Sequence, residues 1–184
     1  MHVWDGILED FQPIFRKLGN DQSKWRPNCL VIGDIMSKLN QDFMDESLEL
    51  MLNSTERPKI LALGSGRYYK DAGRFRMDTG AYVAAYEYCL NGAETINLGK
   101  PQASFFNEAL NVVGGTPHDT IMIGDDIVSD VGGAQQVGMR GFLVRTGKYK
   151  KSDETERGVK ADHVFDNFRE AMQVFVRENL RHKS

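Results

Sequence analysis

The chain has no surplus of basic charge. Lysine and arginine number 23 against 26 aspartates and glutamates, leaving a formal net charge of -3 over 184 residues. Phosphate backbones are bound by clustered basic surfaces that dominate the local field, so nucleic acid is not an expected partner. Cysteine is equally scarce: Cys29 and Cys89 are the only two, and neither belongs to a CxxC pair or a Cys/His cluster of metal-ligand spacing. Both sit among apolar neighbours and are expected as buried thiols in a reducing compartment. No apolar run approaches the roughly 20 residues of a membrane helix. The start MHVWDGILED also lacks the basic region and long apolar stretch of a signal peptide. A cytoplasmic protein is expected, with the nucleus also open and no membrane partner. Internal repeats and low-complexity tracts are missing as well.

What is present is a composition of 41% hydrophobic and 27% charged residues, suited to one ordinary domain or two small ones with a real core. The short apolar runs CLVIG, KILALG, ETINLG, TIMIG and GFLVRTG are each followed by a segment of apolar spacing near 3.6. Strands alternating with crossover helices predict the α/β class, with a parallel sheet and flanking helices. FQPIFRKLG places Phe11, Ile14, Phe15 and Leu18 on one helical face, closed by Gly19. PQASFFNEALNVVGG predicts a helix with Pro101 in its first turn and paired glycines at its end. CLVIG and IMIG are apolar at successive positions, which suits strands covered on both faces and therefore lying inside a sheet. GSGRYYKDAGRFRMDTG reads as one long irregular loop. KYKKSDETERGVKAD reads as a surface crossing before a last helix, DNFREAMQVFVRENL.

IMIGDDIVSD concentrates three carboxylates at one strand-to-helix junction. Asp125 and Asp126 stand at the carboxyl end of TIMIG, where open α/β folds place their ligands. Asp130 follows Asp125 by about one helical turn, so the two can converge above the strand tip. Clustered carboxylate oxygens suit a hard cation such as magnesium and repel one another without one. The plainer alternative is that Asp126 or Asp130 caps the next helix. Beyond it the pattern runs as a helix to Gly138 and then the strand GFLVRTG, at the spacing of a βαβ unit. Upstream, LGKP places Lys100 at a strand-to-helix turn, where an ammonium can meet a phosphate and offset the carboxylates. A solvated turn lysine is its alternative. Together, Lys100 and the acids favour a phosphate-plus-metal site.

LGKP and IGDDIVSD resemble the third and fourth motifs of the haloacid dehalogenase-like phosphohydrolases, the fourth in its GD-x-x-x-x-D form. The similarity extends over NCLVIGD, LALGSGRYYKDAGRFRMDTGAYVAAYEY, MIGDDIVSDVGGAQQVGMRGFLVRTGKY and VKADHVFDN, nearly the whole chain. It implies a large α/β cap domain over residues 1–95 and the C-terminal half of a Rossmann-like core over residues 96–184. It further implies a magnesium-dependent phosphatase of small phosphorylated compounds, of the inorganic pyrophosphate, phosphohistidine and phospholysine type. By this resemblance Asp125 would hold magnesium with support from Asp126 and Asp130, and Lys100 would hold the substrate phosphate, the four forming the catalytic set. Gly64, Gly66, Arg67 and Tyr68 of the cap segment would help select the leaving group, with Arg67 as the anion contact. Capped members commonly dimerise, so a homodimer is the implied assembly.

The family's first motif, D-x-D-G, supplies the nucleophile and the acid for the leaving group, because the phosphoryl group passes through an aspartyl-phosphate. The 184 residues contain no D-x-D spacing. The nearest look-alike, VWDG, puts Val3 where the nucleophile would stand, and valine cannot attack phosphorus. VWDGILEDF instead resembles the beginning of the family's cap, which implies a chain starting after the first two motifs and inactive alone. Ser65 and Ser129 stand near the matched motifs, but no histidine is near them in sequence to act as a base. In the family's sheet IMIG lies beside the nucleophile's strand, so an open edge prone to pairing is expected there. The competing reading is a non-catalytic binding or regulatory module that pairs with a full-length relative. A receiver-like phosphate-accepting domain would share acids at strand ends, but would explain neither LGKP nor the cap-like half.

Overall fold

The computed structural model describes residues 27–34, 40–155 and 157–181. The helix expected around Phe11 to Leu18 and the VWDG turn lie outside these residues. The chain divides into two units, Met1–Tyr68 with Phe75–Gly99, and Tyr69–Arg74 with Lys100–Ser184.

In the first unit the expected runs become strands β1 (Cys29–Ile32), β2 (Lys59–Ala62) and β5 (Glu94–Asn97). They pair in parallel in the order β1-β2-β5, with Leu30 opposite Ile60 and Ile60 opposite Thr95. Side chains alternate across a strand, so Leu30, Ile32, Ile60 and Ala62 point to one face, where they are buried with Met51, Val83, Tyr86 and Leu90. Helices α1 (Gln41–Leu52) and α2 (Thr79–Cys89) cover that face, each begun by a polar side chain on a free amide. Asn40 accepts from Phe43 N in α1, and Asp78 accepts from Thr79 N in α2. Cys29 is half-buried and Cys89 exposed, which corrects the expectation of two buried thiols. Cys29 points to the face opposite Leu30, and Cys89 falls off the Val83, Tyr86 and Leu90 stripe of the helix.

GSGRYYKDAGRFRMDTG is not one irregular loop. It forms a hairpin of β3 (Tyr68–Asp71) and β4 (Arg74–Met77), followed by the start of α2. Its two turn residues, Ala72 and Gly73, have φ of 46° and 81°, the left-handed pair that matches the twist of adjoining strands. YYKD does not alternate, and RFRM alternates polar and apolar for only four residues that all stay exposed, too short a period to mark a strand amid Gly, Arg and Tyr.

The second unit holds α3 (Ala103–Val113), β6 (Ile121–Gly124), a π-type turn (Ile127–Gly132) running into α4 (Gly133–Gln136), β7 (Arg140–Val144), β8 (His163–Phe165) and α5 (Phe168–Arg181). Its strands are parallel in the order β6-β7-β8, with Ile123 opposite Phe142 and Leu143 opposite Val164. Ile121 and Ile123 pack on Phe142, Val144 and Ala171, while Met122 packs on Phe106, Leu110 and Ala134. IMIG is thus covered on both faces, yet β6, like β1, is a terminal strand of its sheet among the described residues. That corrects the expectation that CLVIG lies inside its sheet, and for IMIG it overturns the reading from apolar pattern and agrees with the open edge implied by the resemblance: coverage of both faces does not require pairing on both edges. Pro101 is likewise outside α3, which starts after Gln102, and the Lys100–Pro101 peptide is cis. The helix closes at Gly114 with φ 65°. The polar crossing contains a 3₁₀ turn, Lys151–Glu154, with Asp153 buried, before the short strand β8. Among the described residues no helix is long and apolar enough to cross a membrane.

A carboxylate fastens β7 at its amino end. Asp162 Oδ2 accepts from Gly141 N at 2.7 Å and from Gln135 Nε2 at 3.0 Å. Burial would raise this carboxyl, but the Gly141 amide and Gln135 hold it below its ordinary value of 3.8. A carboxyl depressed on folding stabilises above its ordinary value and loses that contribution as the pH falls through the folded one. Asp162→Ala should therefore cost about 1 kcal/mol at neutral pH. The difference from wild type should shrink as the pH drops below 3.8, as read by urea denaturation across pH.

Candidate metal and phosphate site

Parallel pairing of β6 and β7, with Gly124 opposite Leu143, brings the two chain segments beyond their carboxyl ends side by side. The first is Asp125-Asp126, entering the π-type turn. Asp126 caps that turn: its Oδ1 accepts from Val128 N at 3.0 Å and Ser129 N at 2.9 Å, where free amides and the helix dipole favour an anion. Its Oδ2 lies 2.7 Å from Lys148 Nζ. Burial alone would raise the Asp126 carboxyl, but the Lys148 bond and the two amides outweigh it and hold it low. Burial would likewise lower the Lys148 ammonium, but Asp126, with the charges of Asp125 and Asp130, raises it.

The π-type turn then carries Asp130 back over the end of β6. The residue is 4% exposed; its Oδ1 is 2.7 Å from Lys100 Nζ, and its Oδ2 accepts from Asp126 N at 3.2 Å. Position 124 must be glycine for this, because a Cβ there would stand 2.2 Å from Asp130 Oδ2. Asp125 turns toward the segment after β7, where its Oδ2 accepts from Lys148 N at 2.8 Å. Gly147 makes room: its φ is 55°, and a Cβ on it would lie 2.0 Å from that same oxygen. The segment is braced by Arg145, whose Nε donates to Glu154 Oε1 at 3.0 Å and Nη1 to Asp166 Oδ1 at 2.8 Å.

The structure therefore gathers Lys100, Asp125, Asp126 and Asp130 in the second unit. It adds Lys148 and Gly147, which sequence reasoning passed over because KYKKSD reads as a solvated charge run. Their signal was positional, since residues just past a neighbouring parallel strand open onto the same crevice. Gly64, Gly66, Arg67 and Tyr68 belong to the first unit. There Gly66 is pressed on the α2 cap, since a Cβ would stand 1.9 Å from Asp78 Oδ2. Ser65 Oγ accepts from Asn97 Nδ2 at 3.1 Å. Arg67 is exposed, and Tyr68 meets the Phe75 ring edge-on with centroids 5.5 Å apart.

Among the described residues no group of three or more histidine, cysteine, aspartate or glutamate side chains forms a metal cage. Magnesium does not need one, since it keeps several waters and takes one or two carboxylates plus phosphate oxygens. With Asp126 engaged by Lys148 and Asp130 by Lys100, Asp125 retains a carboxylate oxygen for such an ion. The donor set fits magnesium that shares its ligation with water and phosphate.

Residues 97–171 match the model of the HAD-hydrolase-like family. Over 175 residues the chain is 42% identical to the phospholysine phosphohistidine inorganic pyrophosphate phosphatase of Danio rerio, covering 95% of this chain and 61% of that protein. Over 174 residues it is 40% identical to the Homo sapiens protein of the same name, again covering 95% and 61%. The chain thus spans 61% of the length of these relatives. Among solved structures, a 4-nitrophenylphosphatase from Thermotoga maritima superposes with a TM-score of 0.69 at 21% identity, over 88% of this chain and 60% of that one.

Proposed function

We propose that the chain, matched over residues 97–171 by the HAD-hydrolase-like model, is a member of the haloacid dehalogenase-like hydrolases and carries the magnesium- and phosphate-binding part of a phosphatase site. The substrates proposed are small phosphorylated compounds of the kind named for its relatives: inorganic pyrophosphate, phosphohistidine and phospholysine. The observation that carries this reading is the pair of Lys100 Nζ and Asp130 Oδ1, 2.7 Å apart at the tip of β6. With Asp125 following the same strand, the pair would set an ammonium near a carboxylate with an oxygen to spare. Asp130 orients Lys100, and Lys100 offers its charge to a phosphate oxygen. Asp125 would hold the magnesium, while Asp126 caps the turn and supports the site. When bound, the ion would neutralise charge on the phosphoryl oxygens. The first unit would serve as the cap, in which Gly64, Gly66, Arg67 and Tyr68 would help select the leaving group, with Arg67 as the anion contact.

With no D-x-D pair in the 184 residues, the site would bind metal and phosphate without supplying the nucleophile, and the chain alone would not turn substrate over. The second reading, a non-catalytic module pairing with a full-length relative, is favoured by one observation, the terminal place of β6 in its sheet among the described residues. Inorganic pyrophosphate titrated calorimetrically into the protein with magnesium, and again with a chelator, tests the proposal. Binding should require magnesium and proceed without release of orthophosphate. Binding that ignores the chelator, or none at all, would defeat the site; magnesium-dependent release would defeat the claim about the nucleophile.

A further inference from the structure

We propose that Lys148 sets the charge balance of this site: by occupying Asp126 it keeps that carboxylate from the cation, so that magnesium binds together with phosphate rather than by itself. The inference rests on the metal-and-phosphate reading above and assigns a role to a residue outside the motifs that suggested it.

Lys148 makes two contacts of different kinds. Its main-chain N–H holds Asp125 Oδ2 at 2.8 Å, while its Nζ holds Asp126 Oδ2 at 2.7 Å. The first does not depend on the side chain, so a replacement by methionine, glutamine or arginine can change the charge and leave the brace on Asp125. The paired side chains are each only 21% exposed, so their charges are screened less than those of a surface pair.

The carboxylates of Asp125, Asp126 and Asp130 with the ammoniums of Lys100 and Lys148 leave one net negative charge. A divalent cation converts that to one net positive charge, which attracts phosphate. Without the Lys148 ammonium the empty site carries a further negative charge and a released carboxylate. It should then take magnesium more readily, while the loaded site becomes neutral and loses its pull on phosphate. The two affinities are expected to move in opposite directions. A lysine that only braces the fold would weaken both.

Calorimetry of magnesium alone, then of inorganic phosphate at saturating magnesium, tests this on wild type, Lys148→Met, Lys148→Gln and Lys148→Arg. In the Met and Gln variants magnesium should bind several-fold tighter and phosphate about tenfold more weakly, the scale of one charge at partly screened range. The Arg variant should return both toward wild type. Amide exchange along Arg140–Val144 reports whether each variant keeps its fold, and the conclusion is drawn from whichever neutral variant does. Parallel weakening of both ligands, or no change in either, would overturn the role of Lys148 alone. Failure of wild type to bind either ligand would overturn the site itself and this inference with it.

Discussion

Gly124→Ala should destabilise the second unit by about 4 kcal/mol and weaken magnesium-dependent phosphate binding by at least about tenfold. An added Cβ would meet Asp130 Oδ2 at 2.2 Å, Cγ at 2.4 Å and its Cβ at 2.5 Å, so no rotation of the carboxylate alone relieves the overlap. The whole side chain must leave a position where it is 4% exposed. In leaving, it gives up the Lys100 ammonium and the Asp126 amide, and a hydrogen bond to a charged group is worth roughly 1.5–3 kcal/mol. Overpacking adds roughly 1–3 kcal/mol. If the cost arises from this contact, Asp130→Ala should absorb most of it, and the double variant should be much less unstable than the sum of the two singles. Additive losses in urea denaturation would show that the glycine matters for another reason.

Phe142→Ala is expected to cost about 3–5 kcal/mol and to loosen the site from beneath. Phe142 is fully buried on the central strand β7, packed with Val144, Ala171, Ile121, Ile123 and Phe165. Its ring takes the His163 edge at a centroid distance of 5.0 Å and the Arg140 guanidinium over its face at 5.0 Å. It sits opposite Ile123 in the register that aligns the ends of β6 and β7, and those ends carry Asp125 and Lys148. Amide exchange at Ile121–Gly124 should therefore rise along with that at Arg140–Val144. A variant in which only β7 exchanges faster would mean that the two strands are not held together by this core.

The parallel strands could be read from the sequence because each is a compact apolar run between turn residues: Leu30, Ile60, Ile96, Ile123 and Leu143 all fall on strands. Helix α3 could be read because Phe106 and Leu110 repeat at helical spacing and Gly114 ends them in a left-handed turn. The hairpin escaped because the two Tyr of YYKD fall on successive positions and the alternation of RFRM spans only four exposed residues. Strand β8 escaped because HVF is three residues long and takes its pairing from Phe142 to Val144, which only the folded sheet supplies. Apolar pattern placed CLVIG and IMIG inside their sheets wrongly, since apolar side chains report what covers a strand's faces and say nothing of which hydrogen bonds its edges make; the open edge of IMIG followed only from the resemblance.

The site was legible to the same degree. Asp125, Asp126, Asp130 and Lys100 could be named because carboxylates and a lysine at strand ends have few structural uses in combination. Capping, held as the plainer alternative, does describe one oxygen of Asp126, and the same residue also meets Lys148. Lys148 could not be named because its role depends on the register of β6 against β7, and Gly147 and Gly124 because their purpose is the room they leave for another residue's carboxylate.

Metal and phosphate should meet at Asp125. With manganese in place of magnesium, the phosphorus-31 relaxation of inorganic phosphate reports a phosphate held beside the ion on the protein. Strong enhancement in the wild-type protein that disappears in Asp125→Asn, while the variant keeps the amide protection of Arg140–Val144, is the predicted result. Enhancement that persists in Asp125→Asn, or that wild type never shows, would contradict it.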